Sequence, residues 1–326
     1  MQVVNAEITK PTPPSPELWQ NRRYFSIGAQ YKARFGTRMQ KIALSVSQSC
    51  PNRLSDIGAC LFCDEWGSAG VHVRPDLELM NQVQQYKKGM QARYNATQYL
   101  AYFQPYTTTF SRTQQLEAQI RLVLKDPDIK GIILGTRPDC LNASLLKLLH
   151  QLSQETYVAV ELGIQSFDDS GLIFLNRGHD AQCAIEGVHK LKELKQVDTG
   201  VHLIFGLPGE TDEDTYFAVE KINQLQVDNV KLHNLHVLNN TPLADLYRSG
   251  SFRPWDLQRY IQAVVLFLEH CSPQVAFSRL AAKATRFEEL IAPAWTAEKM
   301  RPINEIEKRL LETQSWQGKQ YTGPWI

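Results

Sequence analysis

The 326-residue chain lacks any apolar run approaching 18 residues, which excludes a helical membrane span. It carries little excess charge: 35 Lys and Arg face 34 Asp and Glu, a formal net charge of +1. The molecule as a whole is therefore not a strongly basic nucleic-acid binder. Six cysteines in so long a chain are too few for a disulfide scaffold. The opening stretch MQVVNAEITKPTPPSPELW has no charged segment followed by an apolar one, so a secretory signal is not expected. The expected compartment is cytoplasmic and reducing, where clustered cysteines read as metal ligands or reactive thiols. Internal repeats and low-complexity tracts are also missing. What remains, 43% hydrophobic and 21% charged residues, is ordinary for a globular protein of one large or two modest domains.

Residues 1–23 hold four prolines among the first 20 and little apolar periodicity, and read as a flexible leader. The first 50 residues carry seven cations (Lys10, Arg22, Arg23, Lys32, Arg34, Arg38, Lys41) against Glu7 and Glu17, a basic arm suited to phosphate contacts or to plain solvation. From 24 to 271, strand-like and helix-like stretches alternate. Strands are expected at 42–47, 99–104, 131–135, 157–162, 200–205 and 230–235. Most lack clean alternation, as strands buried on both faces do. Helices are expected at 75–90, 114–125, 142–152, 181–195, 212–225 (with Thr211 as N-cap) and 255–269. Six strands each followed by a helix predict an α/β fold, a partial (βα)6 TIM-like barrel, with residues 272–326 as a C-terminal extension holding a helix near 304–313. Ligands in such sheets gather at the carboxyl ends of the strands.

The loop after the first strand reads Cys50-PNRLSDIGA-Cys60-LF-Cys63, a C-x9-C-x2-C spacing. Three thiolates on one loop can hold a soft metal centre. They are one short of a closed zinc site, which His72 or solvent could complete, and one short of a fully ligated iron–sulfur cube. Ordinary buried thiols are the plain alternative. Cys140, Cys183 and Cys271 have no such neighbours and read as small buried hydrophobes.

The ordered motifs FGTRMQKIALSVSQSCPNR, YFQPYTTTF, GTRPDCL, VELGIQS, LNRGHD, FGLPGETDED, KLHNLHVLNNTPLADLY and LIAPAW resemble the radical S-adenosylmethionine superfamily, in particular its YhcC/YtqA-type branch related to the catalytic subunit of Elongator. The resemblance implies a [4Fe–4S] cluster on Cys50, Cys60 and Cys63, with one iron left open for S-adenosylmethionine. In that superfamily an electron from the cluster cleaves the sulfonium and releases a 5′-deoxyadenosyl radical that abstracts hydrogen from a substrate. Phe62 would then pack near the adenine. Gln104, where the generic family has Gly-Gly-Glu, would meet the methionyl amine. Gln165 and Arg177, 12 residues apart, would take a ribose hydroxyl and a carboxylate. Gly206, Leu207, Pro208 and Gly209 would lie along the adenine, the glycines allowing close approach and the proline stiffening the turn.

The loop between Cys50 and Cys60 lacks the glycine-rich character usual in the branch, and RLAAKATRFEEL replaces a TGDAPRD-like stretch. Arg137 and Asp139 are candidate substrate contacts, Asp139 alternatively a helix cap. His233 and His236 stand three apart, so a regular strand sends only one inward, and His236 is the one expected there. His179 is read as a helix-start contact, and Glu161 and the acids at 212–214 as helix N-terminal carboxylates. The expected function is radical cleavage of S-adenosylmethionine acting in side-chain modification of the tRNA wobble uridine. The expected partners are tRNA and an electron donor such as flavodoxin or ferredoxin, without a membrane. The alternatives are the same chemistry on a small metabolite or peptide, or a non-catalytic iron–sulfur or zinc protein that binds RNA.

Overall fold

The computed structural model describes residues 19, 21–46, 50–67, 73–284 and 286–323. Its elements in chain order are α1 (Ile27–Phe35), β1 (Gln40–Leu44), α2 (Pro51–Leu54), α3 (Leu79–Tyr94), β2 (Tyr99–Phe103), α4 (Thr113–Val123), β3 (Ile129–Thr136), α5 (Ala143–Ser153), β4 (Tyr157–Gln165), α6 (Asp169–Phe174) and α7 (Ala181–Lys192). Then come β5 (Val197–Phe205), α8 (Asp212–Leu225), β6 (Asn229–Asn234), β7 (Val237–Leu238), α9 (Pro242–Arg248), α10 (Leu257–His270), β8 (Ala276–Arg279), β9 (Leu290–Ala292) and α11 (Arg301–Glu312).

Seven parallel strands form one sheet in the order β1-β2-β3-β4-β5-β6-β8, and β7 pairs antiparallel with β9 beside it. Among the described residues the two outer strands do not pair with each other, so the barrel is open. The seventh strand is one more than the sequence pattern predicts. β8 has only four residues, ends in Ser-Arg and lies beyond residue 271, so no hydrophobic run announces it.

Successive side chains of each strand divide between two environments. Val158, Val160, Leu162 and Ile164 of β4, with Val201 and Leu203 of β5 and Val230 and Leu232 of β6, pack outward under the helices in the main core. Inward, Tyr102, Ile133, Tyr157 and Ala159 join Tyr31 and Met39 in a plug inside the barrel. Both faces are thus buried, which is why most of the strands lack clean alternation.

Several helices start where the sequence gives them caps. Thr211 and Asp214 form a reciprocal capping box on α8, Asn142 caps α5, and Asp180 caps α7. The helix expected at 75–90 begins only at Leu79, because Arg74–Leu77 forms a turn first. Of the expected leader, residues 1–18 and 20 lie outside the described residues. Trp19 is buried against Phe25, Ala29 and Ala276, and the Gln317 side chain ties Phe25 to Ser272 and Val275.

Candidate cofactor and active site

Cys50 stands at the N-terminus of α2, with Pro51 in its first turn. The start of the loop is anchored below by Gln82 of α3, whose amide both accepts from and donates to the Ser45 backbone at 2.9 and 3.1 Å. The far end is fixed by the segment after β4. Asn176 Nδ2 donates to the carbonyls of Ile57 (2.8 Å) and Ala59 (3.0 Å), and Leu61 N donates to Leu175 O. Asn52, buried among these groups, donates to Asn176 O at 2.7 Å. Gly178 has φ +70°, and a Cβ there would stand 2.8 Å from Asn52 Oδ1, so only glycine fits.

Four donors approach the three sulfurs. Thr107 Oγ1 lies 3.4 Å from Cys50 Sγ. Asn52 Nδ2 and Arg177 Nη1 lie 3.4 and 3.2 Å from Cys60 Sγ. Arg53 Nη2 lies 3.4 Å from Cys63 Sγ. Burial pushes the Cys63 thiol up, and the Arg53 guanidinium opposes it. Among the described residues no three His, Cys, Asp or Glu side chains stand close enough to hold a single metal ion. Ligands of a cube bind separate irons and stand farther apart than ligands of one zinc. His72, the residue that could complete a zinc site, lies outside the described residues.

All three cysteines line one cleft of about 350 Å³ in the mouth of the half-barrel. Phe62, Gln104, Arg137, Gln165, Arg177 and His236 line it too. Gln165 ends β4 with φ +71°, a left-handed conformation that is uncommon outside glycine and held here by the neighbouring structure. Arg177 is not free to wait for a carboxylate with its whole fork. Nη1 is on Cys60 and Nη2 donates to Gly163 O at 2.7 Å, while Nε is buried without a protein partner.

Leu207, Pro208 and Gly209 line a separate hollow of about 280 Å³ that shares Gln165 and Ile204 with the cleft. Gly206 and Asp139 line neither. Gly206 and Gly209 have φ +96° and +76°, so glycine is needed there for the turn itself. Glu210 fastens that turn by accepting from Gly206 N (2.6 Å) and Leu207 N (2.9 Å). Burial pushes its carboxyl up to about 7, although both N–H donors oppose this. Asp139 neither caps a helix nor faces the cleft. It holds Arg137 through two bonds of 2.9 and 2.8 Å. His179 Nδ1 stays 3.2 Å from Asp180 O at the helix start.

Two further expectations are corrected. Glu161 does not sit at a helix N-terminus. It lies fully buried in β4, lines the cleft and meets Lys41 Nζ (2.7 Å), Tyr102 OH (2.6 Å), His202 Nε2 (2.8 Å) and Lys231 Nζ (3.5 Å). Both His233 and His236 line the cleft, because β6 ends at Asn234 and the two-residue alternation stops between them. One carboxylate cannot neutralise two lysines. Lys41, closest to it, keeps its proton against the effect of burial, whereas burial pushes Lys231 down to about 7, with Arg279 and Lys41 adding to the shift. Sequence motifs alone did not single out Lys231, His202 or Arg279. The available signal was a charged or imidazole side chain in an otherwise apolar strand. Asn52, Arg53 and Asn176 belong to the CPNR and LNRGHD motifs but carry no signal of the sulfur and backbone contacts they make.

The chain matches the model of the Radical SAM superfamily over residues 44–222 and that of the Radical_SAM C-terminal domain over residues 227–312. It is 32% identical to YtqA of Bacillus subtilis (strain 168) over 308 residues, 94% of this chain and 95% of that one. It is likewise 32% identical to YhcC of Escherichia coli (strain K12), over 92% of this chain and 96% of that one. A more distant likeness, 26% over 137 residues, covers 41% of this chain and 25% of the tRNA uridine(34) acetyltransferase of Methanocaldococcus infernus. Among solved structures, the fold matches the archaeal Methanocaldococcus infernus Elp3 with an N-terminal deletion at a TM-score of 0.66 and 14% identity, covering 86% of this chain and 64% of that one.

The chain belongs to the radical SAM superfamily and is an enzyme of that class. The family implies a [4Fe–4S] cluster and S-adenosylmethionine as cofactors. The cleft suits them: three thiols share one mouth, N–H and O–H donors already face their sulfurs, and Arg177 Nε and Arg137 Nη1 are buried without protein partners.

Proposed function

We propose that Cys50, Cys60 and Cys63 hold three irons of the [4Fe–4S] cluster and that the protein modifies the side chain of the tRNA wobble uridine. When bound, the cluster supplies the electron that splits S-adenosylmethionine into methionine and a 5′-deoxyadenosyl radical. An electron donor of flavodoxin or ferredoxin type delivers that electron in a reducing cytoplasm. Gln104 would receive the methionyl amine, and Gln165 a ribose hydroxyl. Phe62 from the cleft and the turn at 206–209 beside the adjoining hollow would take the adenine, and Arg177 steadies Cys60 while it would offer Nε to the cofactor. Arg137, braced by Asp139, and His236 face the substrate. The buried walls exclude water from the reacting atoms.

The observation that carries this reading is the convergence of the three thiols, with their four donors, on the open mouth of the barrel. For RNA, support comes from the rim and from the distant acetyltransferase relative. Trp66 (43% exposed) and Phe287 (66% exposed) present aromatic faces, Arg286 lies over the Trp66 ring, and Lys283 lines the cleft. Exposed aromatics among cations are how proteins stack unpaired RNA bases. The test is anaerobic reconstitution and reduction, followed by assay of 5′-deoxyadenosine with and without bulk tRNA, alongside modified-nucleoside profiles of a deletion strain. Cofactor cleavage together with a changed wobble-uridine profile is expected. Cleavage with an unchanged profile would redirect the substrate to a small metabolite or peptide. An intact cluster that yields no 5′-deoxyadenosine would leave a non-catalytic RNA-binding protein.

A further inference from the structure

One charged group in the cleft is given no role by the proposed function. Arg279 ends β8, at the opposite edge of the sheet from the strand that precedes the cysteine loop. It lines the cleft and makes no hydrogen bond or ion pair with any described residue. Its register neighbour is Lys231. Lys41, Lys231 and Arg279 thus share one buried carboxylate, Glu161, among the described residues, which leaves a surplus of one positive charge when Lys231 is neutral and two when it is protonated. The other acids nearby are engaged: Asp64 pairs with Arg286, and Asp139 with Arg137. Beside the cations, His233 Nε2 is buried with no hydrogen-bond partner among the described residues.

We propose that Arg279, Lys231 and His233 form a subsite for one anionic group, a carboxylate or a phosphate, carried by the substrate. An unmatched cation in a low-dielectric cavity is costly and persists where a ligand meets it. A guanidinium beside an ammonium presents donors to two oxygens of one anion, a geometry that suits both groups. The depressed Lys231 agrees with a missing counter-charge, which such an anion would restore. The inference rests on the proposed function in one respect, that the substrate enters the cleft the cofactor occupies.

The test uses the full chain, unfolded thermally at fixed ionic strength during titration with inorganic phosphate or acetate, chloride being the reference. A saturable rise in Tm with at least one anion is expected, following ln(1 + [L]/Kd). Arg279→Gln should lose that rise and, in chloride, unfold at a higher temperature than wild type, since the unmatched charge is gone; a purely structural arginine would do the opposite. Lys231→Met should also lose the response, and Arg279→Lys should keep a weakened one. No saturable rise in wild type, or an undiminished one in Arg279→Gln, overturns the proposal. The titration is repeated on reconstituted protein with S-adenosylmethionine bound. An anion response that survives assigns the subsite to the substrate. One that disappears assigns it to the cofactor's own carboxylate and overturns the assignment. Cleavage by the wild-type preparation is followed separately: its absence counts against the proposed function, while the anion titration still decides the subsite.

Discussion

Glu161 is where the interior is most sensitive to a single atom change. Its side chain is 2% exposed and joins Lys41, Tyr102, His202 and Lys231. Glu161→Gln keeps the shape and removes the carboxylate shared by the buried Lys231 and the partly buried Lys41. Breaking a buried pair from one side costs about 3–5 kcal/mol, because the remaining charge is left uncompensated. At roughly 2.1 cal/mol/K of unfolding entropy per residue, over 326 residues, that is a fall in Tm of about 4–7 °C.

Burial alone would push the Glu161 carboxyl up, but Lys41, Lys231 and His202 outweigh it and hold the group well below the usual carboxylate range. A folded-state value below the unfolded one gives stability that is complete above the unfolded value and lost as pH falls through the folded one. The gap between wild type and Glu161→Gln should therefore be full at pH 7 and shrink below about 4.5. Adding Lys41→Met to Glu161→Gln should recover part of the loss, and the double-mutant cycle measures the coupling. A Glu161→Gln loss under about 1 kcal/mol at pH 7, against the cost expected for an orphaned buried lysine, would refute the reasoning.

Cys60→Ala should abolish cluster assembly, seen as loss of iron and sulfide after reconstitution, since two thiolates hold the cube poorly. Arg177→Met should still assemble the cluster but lower its reduction potential in a redox titration, because a charged donor 3.2 Å from Cys60 Sγ is lost. Its affinity for S-adenosylmethionine should fall by about 1.5–3 kcal/mol, the worth of a charged hydrogen bond. Glu210→Gln should gain stability relative to wild type as pH rises from 5 to 7. Burial raises the wild-type carboxyl to about 7, so ionising it there costs the folded state more than the unfolded one; equal pH profiles would refute this.

The parallel sheet was legible because β2, β3 and β4 are largely apolar runs that alternate with helix-like stretches, and the α8 boundaries follow from the box formed by Thr211 and Asp214. β8 was not, because four residues ending in Ser-Arg carry too little periodicity. In the site, the thiols, Gln104 and Gln165 sit where strand-end logic puts them. The charged belt was hidden because burial on both faces masks the alternation that would have marked Glu161, His202 and Lys231 as inward. Arg177 shows the other kind of difficulty. Its position after β4 was readable, but its partners, Cys60 and Gly163, are set by tertiary geometry.

The strap that shapes the thiol loop has a consequence for biogenesis. Arg177 reaches back 117 residues to Cys60, and Asn176 secures the backbone just before it. A ribosome adding about 5–20 residues per second therefore leaves the cysteines without their clasp for roughly 6–23 s. During that interval the nascent thiols are open to oxidation or to stray metal. The clasp cannot close until the fourth strand and its following turn have left the exit tunnel, past the middle of the chain's synthesis.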